Sequence, residues 1–150
     1  MTVTIGQYDY SLDPKNRVVV PPRYREALIA EKGSHFVLAI GQDECLWLFL
    51  PSQWEAFLDD AKTHTQDIKD KKKARAAKRF IFSSAVEAPV DEQGRVLVPQ
   101  NLKDFAGLKK DVVVAGAGNK AEIWDRARWQ EYSRKHAAPS FTELAKDLDL

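Results

Sequence analysis

The residues best suited to chemistry lie in two short copies of one motif. Asp13, Lys15 and Arg17 fall close together in the first copy. Asp91 and Arg95 repeat the Asp-to-Arg spacing 78 positions later. The carboxylate in such a turn can accept hydrogen bonds from nearby backbone N–H groups and can pair with the arginine four residues on. A planar guanidinium can instead grip a phosphate or a guanine edge with two bonds. The spacing alone leaves both roles open.

Each copy leads the chain into a strand and then into a helix. Residues 12–21 and 90–99 share the order apolar residue, Asp, three residues, Arg, three apolar residues and Pro. The turn holds Asn16 in the first copy and Gly94 in the second, and both residue types tolerate the positive φ of tight turns. The valine-rich run predicts a strand, and the proline predicts the first turn of a helix. We therefore expect the aspartate of each copy, together with Gly94, to be structural.

The similarity continues beyond the motif, which indicates two copies of one unit. Residues 24–26 match residues 102–104 at the same offset, and Trp54 matches Trp129 after a three-residue gap. The pattern of short apolar runs, one small helix and a glycine-containing hairpin predicts the order β-β-α-β-β for each unit. Strands this short cannot bury both faces within one unit, so each unit needs a partner. Two units in one chain can interleave their hairpins as a pseudo-twofold barrel.

The repeat predicts an α+β fold, mostly β, with flanking helices. The first unit is expected over residues 5–61 and the second over residues 83–134. Residues 62–82 form the expected connecting helix, and residues 62–79 hold eight Lys or Arg side chains against two acids. This composition is typical of a solvated helix, with direct phosphate contact as the second interpretation. The tail spans residues 135–150.

Three helix starts carry side chains that are expected to cap them. Ser52 with Glu55 matches a capping box ahead of an apolar face, and Ser140 with Glu143 repeats that pattern in the tail. Asp125 is placed to cap the helix that follows the last strand. A tail helix this short is marginal alone in water, so it either docks or frays.

Composition limits the class of protein. The chain has 150 residues and a formal net charge of +1, which argues against a strongly basic, histone-like binder. Cys45 is the single cysteine, so an intrachain disulfide framework is excluded. No charged and then apolar leader precedes the first motif, and no apolar run approaches the roughly 18 residues of a membrane span. We therefore expect a soluble protein of the reducing cytoplasm, without a membrane partner.

The sequence gives little support for an enzymatic function. His35, His64 and His136 are scattered without the spacing of metal ligands. Cys45 opens an apolar strand, which is typical of a buried small hydrophobe and not of a nucleophile. Residues 116–119 are rich in glycine but lie between two strands, so they predict a hairpin turn and not a phosphate-binding loop. We expect no catalytic residue, no metal site and no cofactor.

The motif copies and their surroundings resemble the MraZ family of bacterial proteins. The similar stretches are residues 12–21, 85–99, 106–108 and 122–125, so the resemblance covers residues 5 to about 132. Asn16 stands where the family usually has Gly. The resemblance implies two AbrB-like units in a swapped-hairpin fold, binding of double-stranded DNA, and further association of chains into rings.

The resemblance also implies which residues contact DNA. It favours Lys15 and Arg17 of the first copy, with Asn16 between them. Arg95 of the second copy lies beside an acid and is expected to be partly structural. Arg25 falls where AbrB-type units carry a helix-borne arginine near the DNA face.

The expected function is regulation of transcription by sequence-specific DNA binding. The resemblance implies repression of the protein's own promoter, at the head of a division and cell-wall gene cluster, by a homo-oligomer at the nucleoid. Short direct repeats in the promoter are the expected binding site. The alternative is a ring-forming interaction scaffold in which the motif turns hold subunits together and DNA binding is lost.

Overall fold

A computed structural model describes residues 2–149 and contains two units with the same order of elements. The strands are β1 (Gln7–Ser11), β2 (Arg17–Val19), β3 (His35–Ile40), β4 (Leu46–Phe49), β5 (Val86–Pro89), β6 (Arg95–Leu97), β7 (Asp111–Gly116) and β8 (Ala121–Asp125). The helices are α1 (Pro22–Ala30), α2 (Pro51–Thr65), α3 (Lys71–Ser84), α4 (Gln100–Phe105), α5 (Arg126–Tyr132) and α6 (Ala138–Leu144), with a π-helical turn, Ser133–Ala137, between the last two. The predicted β-β-α-β-β order of both units is confirmed.

The two units exchange strands in one antiparallel sheet. Its order is β1-β7-β8-β4-β3-β5, and β2 pairs with β6 in a separate two-stranded sheet. β1 of the first unit pairs with β7 of the second, whereas β5 of the second unit pairs with β3 of the first. β4 and β8 join the two halves at the centre. This reciprocal exchange is consistent with the predicted swapped-hairpin fold.

The small sheet of β2 and β6 lies on the pseudo-twofold axis. Val18 lies opposite Val96 at its centre, and both are 1 % exposed. Arg17 and Arg95 begin the two strands at opposite ends of this three-residue ladder. They lie on the same face, because cross-strand partners share a face and residues two apart on one strand do as well. The valines therefore fill the core while both arginines point the other way.

Both units contribute to one central core, whose buried residues include Leu12, Val18, Val20, Tyr24, Leu38, Leu46, Val96, Val98, Leu102, Val112 and Ile123. Strand residues make up most of this cluster, and the α+β class is confirmed. Helices nevertheless hold more residues than strands, because α2 and α3 are long. α3 is largely exposed, whereas most of α2 is half-buried or buried. Pro21 and Pro99 directly precede α1 and α4, as predicted for the motif prolines.

The tryptophans anchor packing on both halves of the sheet. Trp124 is 1 % exposed and lies 5.4 Å, centroid to centroid, from the ring of Trp129. Trp54 stacks on Phe57 at 5.4 Å beside the other half of the sheet. The carboxylate of Glu122 accepts hydrogen bonds from the indole N–H groups of Trp47 at 3.1 Å and Trp124 at 3.2 Å. Offset and edge-on aromatic contacts of this kind stabilise a core beyond the area they bury.

The predicted cap of α2 by Ser52 and Glu55 is wrong. The side-chain oxygen of Gln53 accepts the N–H of Leu50 at 3.0 Å and closes the start of the helix. Ser52 instead donates its hydroxyl to Glu31 at 2.6 Å and its N–H to the same carboxylate at 3.0 Å. Because α2 begins at Pro51, Ser52 lies inside its first turn and not at the capping position, and the carboxylate of Glu31 accepts both of its donors.

The two predicted caps near the C-terminus are also wrong. Asp125 precedes α5 without a side-chain cap, because its carboxylate accepts the N–H of Lys109 at 3.1 Å. The π-helical turn joins α5 to α6, so one helical rod runs from Arg126 to Leu144. Ser140 lies inside this rod and not at a helix start. Every described residue of the rod after Tyr132 is exposed or half-buried.

The basic stretch is not one connecting helix over residues 62–82. α2 continues to Thr65, and a separate helix, α3, begins at Lys71. Asp70 caps the start of α3 by accepting the N–H of Lys73 at 3.0 Å. The expected bounds of the two units, residues 5–61 and 83–134, remain a prediction. None of the described helices is both long enough and apolar enough to cross a membrane.

Candidate functional site

The first motif forms a tight turn around the side chain of Asp13. One carboxylate oxygen, Oδ1, accepts the backbone N–H groups of Lys15 at 2.9 Å and Arg17 at 2.8 Å. The backbone carbonyl of Asp13 accepts the N–H of Asn16 at 2.9 Å. Asn16 has φ 62°, which an Asn side chain tolerates. The turn expected from the sequence is therefore kept despite the absence of a glycine there.

The second motif repeats this geometry around Asp91. Its Oδ1 accepts the N–H groups of Gln93 and Arg95, both at 2.9 Å, and its carbonyl accepts the N–H of Gly94 at 3.0 Å. Gly94 has φ +80°, a backbone conformation that side chains disfavour. The structure thus gives both aspartates and Gly94 the turn contacts that were expected of them.

Four of the charged side chains in the two motifs form one ion-pair cluster, made of Asp13, Arg17, Asp91 and Arg95. Each arginine donates Nε to the aspartate of its own turn, at 2.7 Å for Arg17 and 3.2 Å for Arg95. Arg95 also donates Nη1 to Asp13 at 3.0 Å, across the two units. The equivalent contact from Arg17 Nη1 to Asp91 is longer, 3.9 Å. The cluster therefore joins the two turns side by side.

The hydrogen bonds of the cluster keep both carboxylates ionised. Burial acts to raise the pKa of Asp13, but the bonds from Arg17 and from the N–H of Lys15, with the charge of Arg17, lower the pKa below its ordinary value. The backbone N–H of Arg95 is the largest cause that lowers the pKa of Asp91, against the opposing effect of burial. The negative charges of the aspartates thus hold the arginine charges in place at neutral pH.

Arg17 is half-buried in this cluster and has a structural role there. Its side chain is 31 % exposed and its Nε is bonded to Asp13. The physical reason is the swapped topology, which places the two Asp-to-Arg turns next to each other. The internal repeat was the sequence signal for this cluster, because equivalent residues of two symmetric units meet at their axis.

Arg25 and Lys103 link each helix to the turn of the other unit. Arg25 donates Nε to the carbonyl of Val20 at 3.0 Å, and its guanidinium covers Gly94 so closely that an added Cβ would lie 2.6 Å from Nη1. Lys103, the repeat equivalent of Arg25, donates Nζ to the side-chain oxygen of Asn16 at 2.9 Å. The side chains of Arg25 and Asn16 therefore hold the two units together.

Lys15 differs from the other candidate residues. Its side chain is exposed, and within residues 2–149 it takes part in no ion pair or side-chain hydrogen bond. Its backbone is fixed by the bond to Asp13. The equivalent turn residue of the second unit is the uncharged Gln93, which follows Glu92. The first turn thus presents a positive charge where the second presents none.

Cys45 lies in the core and not in a reactive site. It is fully buried directly before β4, and its Sγ contacts the carbonyl of Gln42 at 3.1 Å. Burial, with the nearby carboxylate of Glu122, raises the pKa of this thiol well above its ordinary value. A thiol held in its neutral form is a poor nucleophile.

Comparison with known proteins gives the family. The family model described as "MraZ protein, putative antitoxin-like" matches residues 4–80 and 81–150, once for each unit. The chain belongs to the MraZ family. A protein named transcriptional regulator MraZ from Heliobacterium modesticaldum is 44 % identical over 144 residues, which cover 96 % of this chain and 95 % of that protein. MraZ proteins of the same name from Clostridium beijerinckii and Thermoanaerobacter sp. are each 41 % identical, over 97 % of this chain and 99 % and 96 % of their own lengths.

Proposed function

We propose that this MraZ-family chain binds double-stranded DNA in a sequence-specific way and thereby regulates transcription. The name of its relatives, transcriptional regulator MraZ, supports the regulatory role. The observation that carries the DNA proposal is the exposed side chain of Lys15 on a turn whose backbone Asp13 holds fixed. Because the backbone of this turn is already fixed, only the side chain loses freedom when it meets a phosphate or a guanine edge, so more of its interaction energy remains as affinity.

Arg17 contributes to the same contact with its terminal nitrogens. Its Nε is engaged by Asp13 at 2.7 Å, but its Nη1 lies 3.9 Å from Asp91, which is too long for a hydrogen bond. The outer N–H groups can therefore donate to DNA while the bond to Asp13 stays intact. A guanidinium held by a carboxylate in this way is preoriented for two-bond recognition of a guanine edge.

A smaller, supporting part of the proposed DNA-binding surface consists of Arg95, Arg25 and Asn16. Arg95 bonds the aspartates of both turns, at 3.2 and 3.0 Å. Arg25 covers Gly94 and Asn16 is held by Lys103. In this proposal the three side chains keep the two turns in position and add secondary contacts to DNA.

Matched variants of the two turns test the assignment of Lys15. Lys15→Ala is compared with Gln93→Ala, the equivalent change in the second unit, by fluorescence anisotropy with the upstream DNA of the protein's own gene at several salt concentrations. Lys15→Ala lowers affinity and reduces the slope of log K against log salt by roughly 1 for each contacting subunit, because one phosphate contact is lost. Gln93→Ala binds like wild type. Both melt like wild type.

The variant Arg17→Ala distinguishes the role of Arg17 from that of Lys15. It lowers affinity and also the melting temperature, because it opens the ion-pair cluster as well as removing donors. If Lys15→Ala binds DNA normally at every salt concentration, the proposal loses the observation on which it stands.

Several subunits must act together in this proposal. Affinity grows with the number of phosphates neutralised, and a chain with a net charge of +1 offers few cations from one turn. A homo-oligomeric ring that presents identical turns would meet DNA about every 10 to 10.5 base pairs, one helical turn. Short direct repeats with that period would then bind more tightly than a single repeat through effective concentration.

A spacer series tests the cooperation between subunits. Lengthening the spacer between two direct repeats by half a turn rotates the second repeat to the opposite face, so affinity falls toward that of one repeat. A full-turn extension restores part of the loss and serves as the control. Equal affinity for the half-turn and native spacers contradicts the multi-subunit arrangement.

The family resemblance extends the proposal to its cellular setting. There the protein acts in the cytoplasm, at the nucleoid, and represses its own promoter at the head of a division and cell-wall gene cluster. The competing interaction-scaffold hypothesis needs the motif turns to hold subunits together. The bonding of Asp13 and Asp91 to arginines of the same chain counts against it, because those partners are already engaged.

A further inference from the structure

The C-terminal tail carries an apolar stripe without a partner in this chain. Phe141, Leu144 and Leu148 are 55, 48 and 58 % exposed. Phe141 and Leu144 lie three residues apart in α6. Leu148 follows in the turn after α6, where its N–H donates to the carbonyl of Leu144, so the same side is continued. We call these three side chains the tail stripe. The helical rod of α5, the π-helical turn and α6 carries Phe141 and Leu144, and Leu148 lies in the turn beyond it. The chain leaves the tail stripe uncovered in the described structure.

A second uncovered stripe lies on α3. Ala76, Ala77 and Phe80 are exposed, and the two alanines lie four and three residues before Phe80. Phe80 is 53 % exposed and packs edge-on, at 6.0 Å between ring centroids, against Phe105 of α4, which is 38 % exposed. We call these four side chains the α3 stripe. Contiguous exposed apolar surface beside charged residues is typical of a protein interaction site.

The segments that hold the two stripes have opposite net charge. α3 holds six Lys or Arg side chains and no acid between Lys71 and Ser84. The tail has Glu143, Asp147 and Asp149 against Lys146 in residues 141–149. An acidic apolar helix and a basic apolar helix complement each other in both properties, and complementary charge favours the correct partner over others.

We propose that the tail stripe of one copy docks on the α3 stripe of a second copy. The proposal rests on the homo-oligomer of the proposed function and names its contact. The contact joins two different surfaces, so each copy offers one tail and one α3, and the association continues from copy to copy until it closes on itself. This head-to-tail geometry generates rings when the rotation between copies allows closure.

The apolar stripe distinguishes this docking from binding of DNA by α3. A phosphate backbone requires only the cations, and it leaves Ala76, Ala77, Phe80 and Phe105 in water. A helix with apolar and acidic residues covers both. The basic side chains of α3 then flank the contact, where they raise the association rate and make assembly dependent on salt.

Two variants and their mixture test the contact. Phe80→Asp damages the α3 stripe and leaves the tail intact, whereas Leu144→Asp damages the tail and leaves α3 intact. Each alone raises the dissociation concentration of the full-length protein by about tenfold or more, as expected when a large apolar anchor is lost. The mass is measured by light scattering over a dilution series, and circular dichroism checks the fold. Ile29→Asp, at a 74 % exposed position on α1, is the control.

The mixture gives the decisive result. One undamaged tail and one undamaged α3 remain in each mixed pair, so equal amounts of the two variants form a dimer and nothing larger. Monomers alone in the mixture overturn the head-to-tail contact. Wild-type-like assembly of both variants overturns it as well, while the oligomer of the proposed function stands. A wild-type chain that is monomeric at all concentrations overturns the oligomer and the contact together.

Arg79→Glu is a third variant, and it changes no apolar side chain. It weakens assembly and leaves affinity for a DNA fragment with one binding site unchanged. If it instead lowers single-site affinity while the mass stays that of wild type, α3 is a DNA surface and the docking proposal is overturned. Single-site binding by the monomeric variants reports on the DNA proposal separately.

Discussion

Replacement of Gly94 by alanine tests how tightly the two units are fitted at the axis. Gly94 has φ +80°, and alanine in the left-handed region costs about 1–2 kcal/mol. The new Cβ would also lie 2.6 Å from Nη1 and 2.7 Å from Cζ of Arg25. The guanidinium can move aside, but it then loses the bond from Nε to the carbonyl of Val20, now 3.0 Å.

The two costs add because one acts on the backbone and the other on a neighbouring side chain. A hydrogen bond from a charged donor is worth roughly 1.5–3 kcal/mol, and about 1–2 kcal/mol is reasonable for the half-exposed Arg25. Gly94→Ala therefore lowers the free energy of unfolding by about 2–4 kcal/mol. For a chain of this length that corresponds to a fall in melting temperature of roughly 4–16 °C.

Two further variants separate the causes. The free energy of unfolding of all three variants is measured by denaturant titration, with the same dependence on denaturant concentration expected for each. Gly94→Asn keeps the clash but relieves much of the strain, since Asn tolerates φ of 62° at the equivalent position 16. It is expected to fall between wild type and Gly94→Ala. Asn16→Gly removes the bond from Lys103 and gains backbone freedom in the unfolded chain, so it costs roughly 1 kcal/mol. A Gly94→Ala protein whose free energy of unfolding lies within about 0.5 kcal/mol of wild type, the error of the method, refutes the close fit.

Two other predictions follow from the titrating groups. The ion-pair cluster stabilises the fold above the ordinary aspartate pKa of 3.8, and this stability is lost as the pH falls through the lowered pKa values of Asp13 and Asp91 in the folded protein. Melting temperatures measured from pH 6 to about 2.5 should therefore fall less steeply for the Asp13→Asn, Asp91→Asn double variant, which is less stable at pH 6. Cys45 should react with a thiol reagent only after opening of the core, because burial raises its pKa. Its labelling rate should rise with denaturant in parallel with unfolding, and fast labelling of the native protein contradicts the burial.

The fold was predictable from the sequence because the chain contains two copies of the same unit. Two copies of an Asp-to-Arg turn, each followed by a short valine-rich run and a proline, set the unit, and the shortness of the strands required exchange between units. The helix starts were predicted less well. Ser52 and Asp125 have the right side chains for capping, but Glu31 and the N–H of Lys109 engage them instead. Those partners lie far along the chain, so local pattern cannot find them.

The candidate site was predictable in composition and not in bonding. The sequence identifies Asp13, Arg17, Asp91 and Arg95 as one repeated set, yet the spacing within a motif describes only the bond from each arginine to its own aspartate. The bond from Arg95 to Asp13, at 3.0 Å, depends on the axis between the units. The cover of Arg25 over Gly94 depends on it too. Contacts of this kind require the arrangement of the two units, which the motif alone does not give.

The symmetry of the chain and the asymmetry of its turns together bear on the form of the proposed DNA site. A pseudo-twofold protein with two equal turns would read a palindrome, because its halves meet DNA in opposite directions. Here only the first turn carries Lys15, while Gln93 replaces it in the second. Each chain would then read DNA in one direction. Head-to-tail contacts between copies repeat that direction at every subunit, since such contacts relate copies by rotation without reversing them. A directional reader in a head-to-tail assembly matches direct repeats, so an inverted second repeat should bind no better than a single site.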